Sequence, residues 1–395
     1  FRDVVSNMTL KASYSLTADR GPASVSNSKA IINSYNTWRP FTSVKESGLI
    51  LSSVENSELT YEKKHELNIG AEIGFIDNRI NIEADWYTRN NFDLIGLIYT
   101  KGTGGQLAKF ANVASMKSSG VEFTVSTRNI KTKDFSWNTD FIFSHTKNEV
   151  TDLQSNASVM DMISGNGFAM EGYPVRALFS MDFQGLNENG YPTFINEKGQ
   201  LTVSDINFQE QLKKDHLVYE GPTDPTMTGS LGNIFRYKGF TLNAFITYSF
   251  GNVIRLDPVF HNVYSDLDAM PREFINRWTT GGDEKVTNVP VIADKRANQQ
   301  DPYLSYAYNA YNYSTERIAK GDFIRIKELS LSYNFPKKMI SRLKVNDLSL
   351  KIQATNLFLI YSDKKLNGQD PEFFNTGGVA SPVPRQFTLT LRLGI

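Results

Sequence analysis

Apolar and polar residues alternate with a period of two along much of this chain. The alternation is regular at residues 67–75, 80–87, 121–126, 348–355 and 387–395, and less regular near residues 8–16, 135–145, 226–237, 240–250 and 323–335. Alternation over this length is typical of β-strands that have one apolar and one polar face. The sequence therefore predicts an all-β fold with about ten main strands.

The strand predicted at residues 323–335 has a break in its pattern. Its apolar phase changes between Ile326 and Leu329. An extra residue that shifts the alternation in this way is characteristic of a β-bulge. We therefore expect a bulge inside this strand, in place of an uninterrupted ladder of hydrogen bonds.

The segments between the predicted strands fall into two length classes that alternate along the chain. The short ones are residues 78–79, 129–134, 238–239 and 336–346, and the long ones are residues 17–66, 89–118, 146–225, 251–322 and 359–385. In an up-and-down antiparallel sheet, alternate connections lie at opposite ends, so one end would carry tight turns and the other the long segments. This asymmetry is typical of outer-membrane barrels. It favours the wall of an antiparallel transmembrane β-barrel with long extracellular loops.

The polar positions of the predicted strands include charged residues, which are costly to expose to lipid. They are Glu72, Glu83, Asp85, Glu122, Asp140, Arg236, Arg325, Lys351 and Arg392. A water-filled interior of mixed sign would accommodate them, and such an interior would not strongly select anions or cations. The same residues could form the solvent face of a soluble sheet, so a soluble extracellular β-rich binding module remains an alternative.

Composition excludes several classes of function. Of the 395 residues, 42 are Lys or Arg and 42 are Asp or Glu, and this balance gives no reason to expect a nucleic-acid partner. The absence of cysteine excludes thiolate catalysis and disulfides. No G-x-S-x-G or H-E-x-x-H motif occurs, and the acidic loop residues lack the spacing of a Ca²⁺ site. We therefore predict no enzyme activity, no metal and no cofactor.

Longer stretches of the sequence are more specific. They are LTYEKKHELNIGAEIGFIDNRINIEADWY at 59–87, NVASMKSSGVEF at 112–123, EGYPVRALFSMDFQGLNENGYPTF at 171–194, GPTDPTMTGSLGNIFRYKGFTLNAFITYSFGN at 221–252, FINRWTTGGDEKVTNVPVI at 274–292, KGDFIRIKELSLSYNFP at 320–336, ATNLF at 354–358, GQDPE at 368–372 and PRQFTLTLRLGI at 384–395. Together, and in this order, they resemble the barrel region of SusC/RagA-type TonB-dependent outer-membrane transporters. The resemblance implies a 22-stranded barrel closed by a plug. Residues 1–395 would form the C-terminal part of that barrel, without the plug or the TonB box.

The resemblance also implies a function and a set of partners. The function would be TonB-driven import of oligosaccharides or oligopeptides through the outer membrane of a Gram-negative cell, as in the Bacteroidetes. The implied partners are a SusD-like surface lipoprotein that covers the loops, the TonB complex acting through the missing N-terminal part, outer-membrane lipid and the cargo. Two other membrane functions remain as alternatives. One is a ten-stranded outer-membrane protease that would use loop carboxylates with His145 or His261, and the other is a passive porin.

Five tyrosines stand close together in one predicted loop. They are Tyr303, Tyr306, Tyr308, Tyr311 and Tyr313. A tyrosine offers a flat apolar ring and a hydroxyl, which suits contact with sugar rings or peptide backbones. We expect part of this group to line the path of the cargo. Packing against other loops or against the lipoprotein is the simpler alternative.

The last predicted strand carries a second candidate role. Its apolar residues are Phe387, Leu389, Leu391, Leu393 and Ile395. In outer-membrane proteins the last strand is read by the insertion machinery and usually ends in an aromatic residue, a pattern from which Ile395 departs. We expect an assembly signal here, which is compatible with the simpler role of a wall strand.

Overall fold

The computed structural model of the chain describes residues 4–21, 29–53, 55–99, 101–102, 108–154, 157–164, 167–264, 267, 270–341, 345–374 and 384–394. In chain order the strands are β1 (Val5–Asp19), β2 (Ile31–Trp38), β3 (Lys45–Ser53), β4 (Glu62–Phe75), β5 (Ile80–Tyr99), β6 (Ala108–Lys131), β7 (Phe135–Leu153), β8 (Ala177–Met181), β9 (Phe183–Leu186), β10 (Pro192–Ile195), β11 (Leu201–Thr202), β12 (Leu217–Pro222), β13 (Met227–Tyr237), β14 (Phe240–Phe250), β15 (Val253–Arg255), β16 (Ile318–Lys320), β17 (Phe323–Asn334), β18 (Asp347–Ser362) and β19 (Gln386–Gly394). The α-helices are α1 (Val159–Ile163), α2 (Lys295–Gln300), α3 (Leu304–Asn312) and α4 (Lys337–Ile340), and short 3₁₀ helices occupy Arg272–Asn276, Asp283–Lys285, Thr315–Arg317 and Lys364–Leu366. Among the described residues, no helix has the length and apolar composition needed to span a membrane.

Ten strands form one antiparallel sheet. Their order is β1-β4-β5-β6-β7-β13-β14-β17-β18-β19, so each strand pairs with its neighbours along the chain once the loop strands are set aside. Each of the ten strands predicted from the alternation corresponds to one strand of this sheet. The predicted all-β, up-and-down antiparallel wall is therefore confirmed.

The register of the sheet sorts its residues onto two faces. One row across nine strands is wholly apolar, and it consists of Met8, Ile73, Ile82, Val125, Phe141, Leu231, Ile246, Ile326 and Phe358. A row on the opposite face holds no apolar side chain across seven strands, and it consists of Lys11, Gly70, Asp85, Glu122, Ser144, Thr228 and Ser249. Since side chains alternate between faces along every strand, the pairing aligns the apolar residues of all strands on one side.

The apolar face is not covered by a second layer within the described residues. Leu10 is 71% exposed and Leu389 is 69% exposed, although both would be core residues in a soluble β-sandwich. The buried apolar clusters lie in the loops instead. A sheet with one exposed apolar face is what a lipid-facing wall requires, and it argues against the soluble module.

The strands β5, β6 and β7 are longer than the sequence pattern predicted. The predicted connection at residues 89–118 is wrong over most of its length, because β5 runs to Tyr99 and β6 begins at Ala108. Two register shifts near Asp93 move the pairing out of phase, and Asp93 has a positive φ of 57°. This bulge breaks the alternation, which is why the strand extension was not visible in the sequence.

The bulge predicted between Ile326 and Leu329 is confirmed. Strand β14 pairs Ile246 with Ile326 and Phe245 with Glu328, so Lys327 is the extra residue. On the other side, β18 has its own irregularity at the same level, where Asn356 has a positive φ of 52°. Strands β14 and β18 therefore both pair with β17 on each side of the bulge.

A packed unit fills two of the long connections, and we call residues 157–264 and 270–322 outside β13 and β14 the loop module. Its main core contains buried side chains from both connections. They include Val159, Ile163, Met181, Phe194, Phe260, Phe274, Leu304, Tyr308 and Tyr311. The long loops are thus folded around a shared apolar core, which holds them in place over the sheet's end.

The two faces can be tested at adjacent positions of one strand, in the full-length protein. Val125 lies in the apolar row, and Thr124 lies on the polar face opposite Glu83. We expect Val125→Lys to destabilise the membrane-inserted state by about 2–4 kcal/mol, because an ammonium would face hydrocarbon. The matched variant Thr124→Lys places the same charge beside a carboxylate and should assemble normally. Folded protein in the outer-membrane fraction is the measurement, and equal levels of the two variants would contradict the assignment of faces.

Candidate functional site

A cavity of about 760 Å³ lies where the polar face of the sheet meets the loop module. Its floor is formed by β13, β14 and β17. Its other walls come from the loop module and from the segment after β18, residues 363–374, which we call the strap. This cavity is the candidate functional site.

The floor of the cavity is lined by hydroxyl groups. On β13 and β14, Thr228 pairs with Ser249 and Ser230 pairs with Thr247 across the two strands. The alternation of β13 sends these side chains to the polar face and sends Leu231 to the opposite face. Hydroxyls both donate and accept hydrogen bonds, so this floor has the groups needed to hydrogen-bond either sugar hydroxyls or peptide groups.

The strap is held by a buried ion pair. Arg325 on β17 is 4% exposed, and its Nη2 donates to Asp370 Oδ1 and lies 3.3 Å from Glu372 Oε2. At the other end of the strap, Leu366 is buried in a small core with Ile254. Since removing one partner of a buried pair leaves an uncompensated charge, this contact fixes the strap as one wall of the cavity.

The loop module is fixed by a second buried arginine. Arg255 follows two residues that line the cavity, and it is 3% exposed. Its guanidinium donates to the carbonyl oxygens of Ser314 at 2.9 Å, Phe179 at 2.6 Å and Ile163 at 3.3 Å. Burial lowers the pKa of Arg255 to about 10, so it stays charged at neutral pH. Three separate segments are thereby tied to one side chain beside the cavity.

Charges of both signs lie on the polar face of the sheet. The carboxylates Glu72, Glu83, Asp85, Glu122 and Asp140 lie on β4 to β7, whereas Arg236, Arg325, Lys351 and Arg392 lie on β13 to β19. Basic side chains also lie on the acidic part of this face. Lys11 bonds to both Glu72 and Glu83, and Lys64 and Arg89 each lie 3.0 Å from Glu66. On β17, Glu328 lies 3.6 Å from Lys351. The face is therefore of mixed sign, as the sequence indicated.

The five tyrosines are divided between a core and a surface. Tyr308 and Tyr311 are each 1% exposed, and the Tyr308 hydroxyl donates to the Val291 carbonyl. Burial raises the pKa of both phenols. Tyr303 and Tyr306 are exposed, with their rings 5.8 Å apart, and Tyr313 is half-buried beside Arg255. None of the five is among the described residues that line the cavity.

The segment that holds these tyrosines was predicted as a loop, and the structure corrects this to the helix α3. The buried residues Leu304, Ala307, Tyr308 and Tyr311 recur at helical spacing. This period was present in the sequence and could have identified the helix and its buried side. A role in cargo contact stays a prediction, and only Tyr303 and Tyr306 present exposed rings for it.

The other predicted site residues lie away from the cavity. On β19 the side chains of Phe387, Leu389, Leu391 and Leu393 are exposed, and Ile395 lies outside the described residues. Neither His145 nor His261 is hydrogen-bonded to a carboxylate within the described part of the chain. The described part of the chain contains no group of three or more acidic or histidine side chains that could hold a metal ion.

Sequence reasoning missed two features of the site. Arg325 was assigned to the polar face, but its partner Asp370 lies 45 residues further on, and no local pattern pairs them. The cavity itself joins segments that are remote in sequence. Only the bulge at Lys327 gave a local signal, because it changed the strand's phase.

The chain is similar to TonB-dependent receptors over most of its length. It is 24% identical over 362 residues to the TonB-dependent receptor P3 of Formosa agariphila, which covers 86% of this chain and 34% of that protein. It is 25% identical over 357 residues to the TonB-dependent receptor SusC of Bacteroides thetaiotaomicron, covering 86% of this chain and 32% of SusC. The chain thus spans about a third of the length of these curated relatives. No protein-family model matches it.

The fold is similar to that of a solved transporter. The structure of the RagAB peptide transporter matches with a TM-score of 0.74 at 21% identity, covering 99% of this chain and 41% of the transporter chain. The ten-stranded sheet is therefore a segment of the same kind of barrel wall. These similarities confirm the predicted resemblance to SusC/RagA-type TonB-dependent transporters, and with it the outer-membrane location.

Proposed function

We propose that this chain forms part of the wall and the outer loops of an outer-membrane importer for oligosaccharides or oligopeptides. Residues 1–395 would be the C-terminal part of the barrel, and the rest of the protein would supply the remaining strands and a plug. A SusD-like surface lipoprotein would cover the loops, and the TonB complex would act on the plug. The barrel itself would change no bond in the cargo.

The observation that carries this proposal is the two-faced sheet with two open edges. Within the described residues, β1 pairs only with β4 and β19 pairs only with β18. Unpaired backbone groups in hydrocarbon cost several kcal/mol each, so the open edges support a wall that further strands complete. A wall of more than ten strands would favour a plugged importer over a small barrel enzyme.

The cavity supports import of a polar, extended cargo. Its hydroxyl floor can exchange hydrogen bonds with a passing chain without requiring one sequence or one sugar. The loop module and the strap lie over part of the polar face, which suits a gated path better than the open bore of a passive porin. The relatives named above are receptors and a peptide transporter, in keeping with a protein that is not an enzyme.

The proposed function can be tested on the full-length transporter in its own outer membrane. We expect a surface lipoprotein to purify with it in mild detergent, and we expect uptake of its cargo to stop when a protonophore collapses the inner-membrane gradient. Uptake of a small porin solute serves as the control and should continue. Cargo uptake that is insensitive to the protonophore would favour the passive porin.

The exposed and buried tyrosines should respond differently to truncation. We expect Tyr303→Ala with Tyr306→Ala to lower cargo uptake while the loop module stays resistant to protease, if these rings contact cargo. Tyr308→Ala should instead open the module's core at a cost of about 3–5 kcal/mol. Limited proteolysis and uptake, measured together, separate the two effects. Unchanged uptake in the double variant would contradict the prediction that Tyr303 and Tyr306 contact the cargo.

The strap can be tested through its two carboxylates. We expect Asp370→Asn to leave Arg325 without its main charged partner and to destabilise the strap by about 3–5 kcal/mol. Glu372→Gln is the matched control, because Glu372 is 39% exposed and more distant, so its loss should have a small effect. Hydrogen exchange of the amides of residues 363–374 is the measurement. Equal protection in both variants would contradict the anchoring role of Asp370.

A further inference from the structure

Lys327 occupies an unusual place on the floor of the cavity. It is the extra residue of the bulge in β17, with no partner in the register to β14. A bulge lets one residue leave the regular alternation and redirects its side chain. Here the redirected residue lines the cavity, together with the floor hydroxyls and residues of the strap.

Three charged side chains line the cavity, and two of them are already paired. Arg176 donates to Asp224 at 2.7 Å, and Glu372 lies 3.3 Å from Arg325. Lys327 has no ion-pair partner within the described part of the chain. The neighbouring carboxylate, Glu328, is instead 3.6 Å from Lys351. Among the charged side chains of the described residues that line the cavity, Lys327 is therefore the one whose charged group makes no ion pair.

The surroundings of Lys327 favour a carboxylate as its ligand. Hydroxyls on the floor, such as Ser230 and Thr247, can donate further hydrogen bonds to an anionic oxygen. The rings of Phe245 and Phe374 also line the cavity. A charge-assisted hydrogen bond, such as one from an ammonium to a carboxylate, is shorter and stronger than a neutral one.

We propose that Lys327 binds a carboxylate of the cargo, and that this importer selects anionic oligomers. This inference rests on the proposed import function and narrows its cargo. A terminal or side-chain carboxylate of an oligopeptide and the carboxylate of a uronic-acid sugar offer the same chemistry to Lys327. Neutral glycans of the same length would lack the group that pairs with the ammonium.

The test uses the full-length transporter with its lipoprotein, immobilised in detergent, and four probe pools. The pools are hexapeptides with free carboxyl groups, the same hexapeptides fully amidated and esterified, oligogalacturonides, and their methyl esters. We expect the wild type to retain a free-carboxylate pool and to release its neutral counterpart. The peptide and sugar pools distinguish the two sources of the carboxylate.

Variants at one position assign the selectivity to Lys327. We expect Lys327→Met to lower retention of the carboxylate pool by about tenfold or more, and Lys327→Arg to keep most of it. Lys198→Met, on an exposed part of the loop module, removes the same charge elsewhere and should change nothing. Normal outer-membrane levels of each variant show that the barrel assembled.

Three results would overturn the inference. The first is equal retention of charged and neutral pools by the wild type, the second is full retention of the carboxylate pool by Lys327→Met, and the third is retention of neither carboxylate pool by the wild type. Protonophore-sensitive uptake of any cargo would still support the proposed import function, so the two failures can be told apart.

Discussion

The alignment of apolar residues across ten hydrogen-bonded strands is the constraint on which the rest of the structure depends. A strand can pair with its neighbours in either register without losing many backbone hydrogen bonds, but a slip of one residue would turn every side chain to the opposite face. A slip of one residue would interrupt the apolar row through Val125 and Leu231. Lipid outside and water inside would each penalise such a slip, so the two environments exclude registers that turn the strands over.

That constraint also explains where charged groups can be buried. Among the residues that the structure describes, three arginines are nearly inaccessible to solvent, and each is held by a different set of contacts. Arg325 pairs with carboxylates of the strap, Arg255 donates to three carbonyl oxygens, and Arg317 combines an ion pair to Glu273 with a contact over the Phe260 ring. Each arginine joins segments that are distant in sequence. Each guanidinium uses its terminal nitrogens for these contacts, and since a buried charge without partners is costly, the contacts favour one arrangement of the loops.

The ten strands could be predicted from sequence because alternation is a local signal that each strand carries by itself. The bulge at Lys327 was predictable for the same reason, since it changes the phase within one strand. The extension of β5 to Tyr99 was hidden by the bulge near Asp93. The helix α3 was missed because five tyrosines suggested a binding loop, although their spacing matched a buried helical side.

The candidate site lay beyond sequence prediction for a different reason. Its floor comes from the polar face of three strands, whereas its walls come from two loops and the strap, so no single segment contains it. The polarity of each part of the site still follows from the surroundings of that part. Strand residues such as Thr228 must be polar because they face away from lipid, and loop residues such as Phe260 must find an apolar core because water surrounds them. A polar floor under an apolar-cored loop module leaves a cavity at their junction, and the redirected Lys327 adds to its lining an ammonium group that can form a charge-assisted hydrogen bond with an anionic ligand.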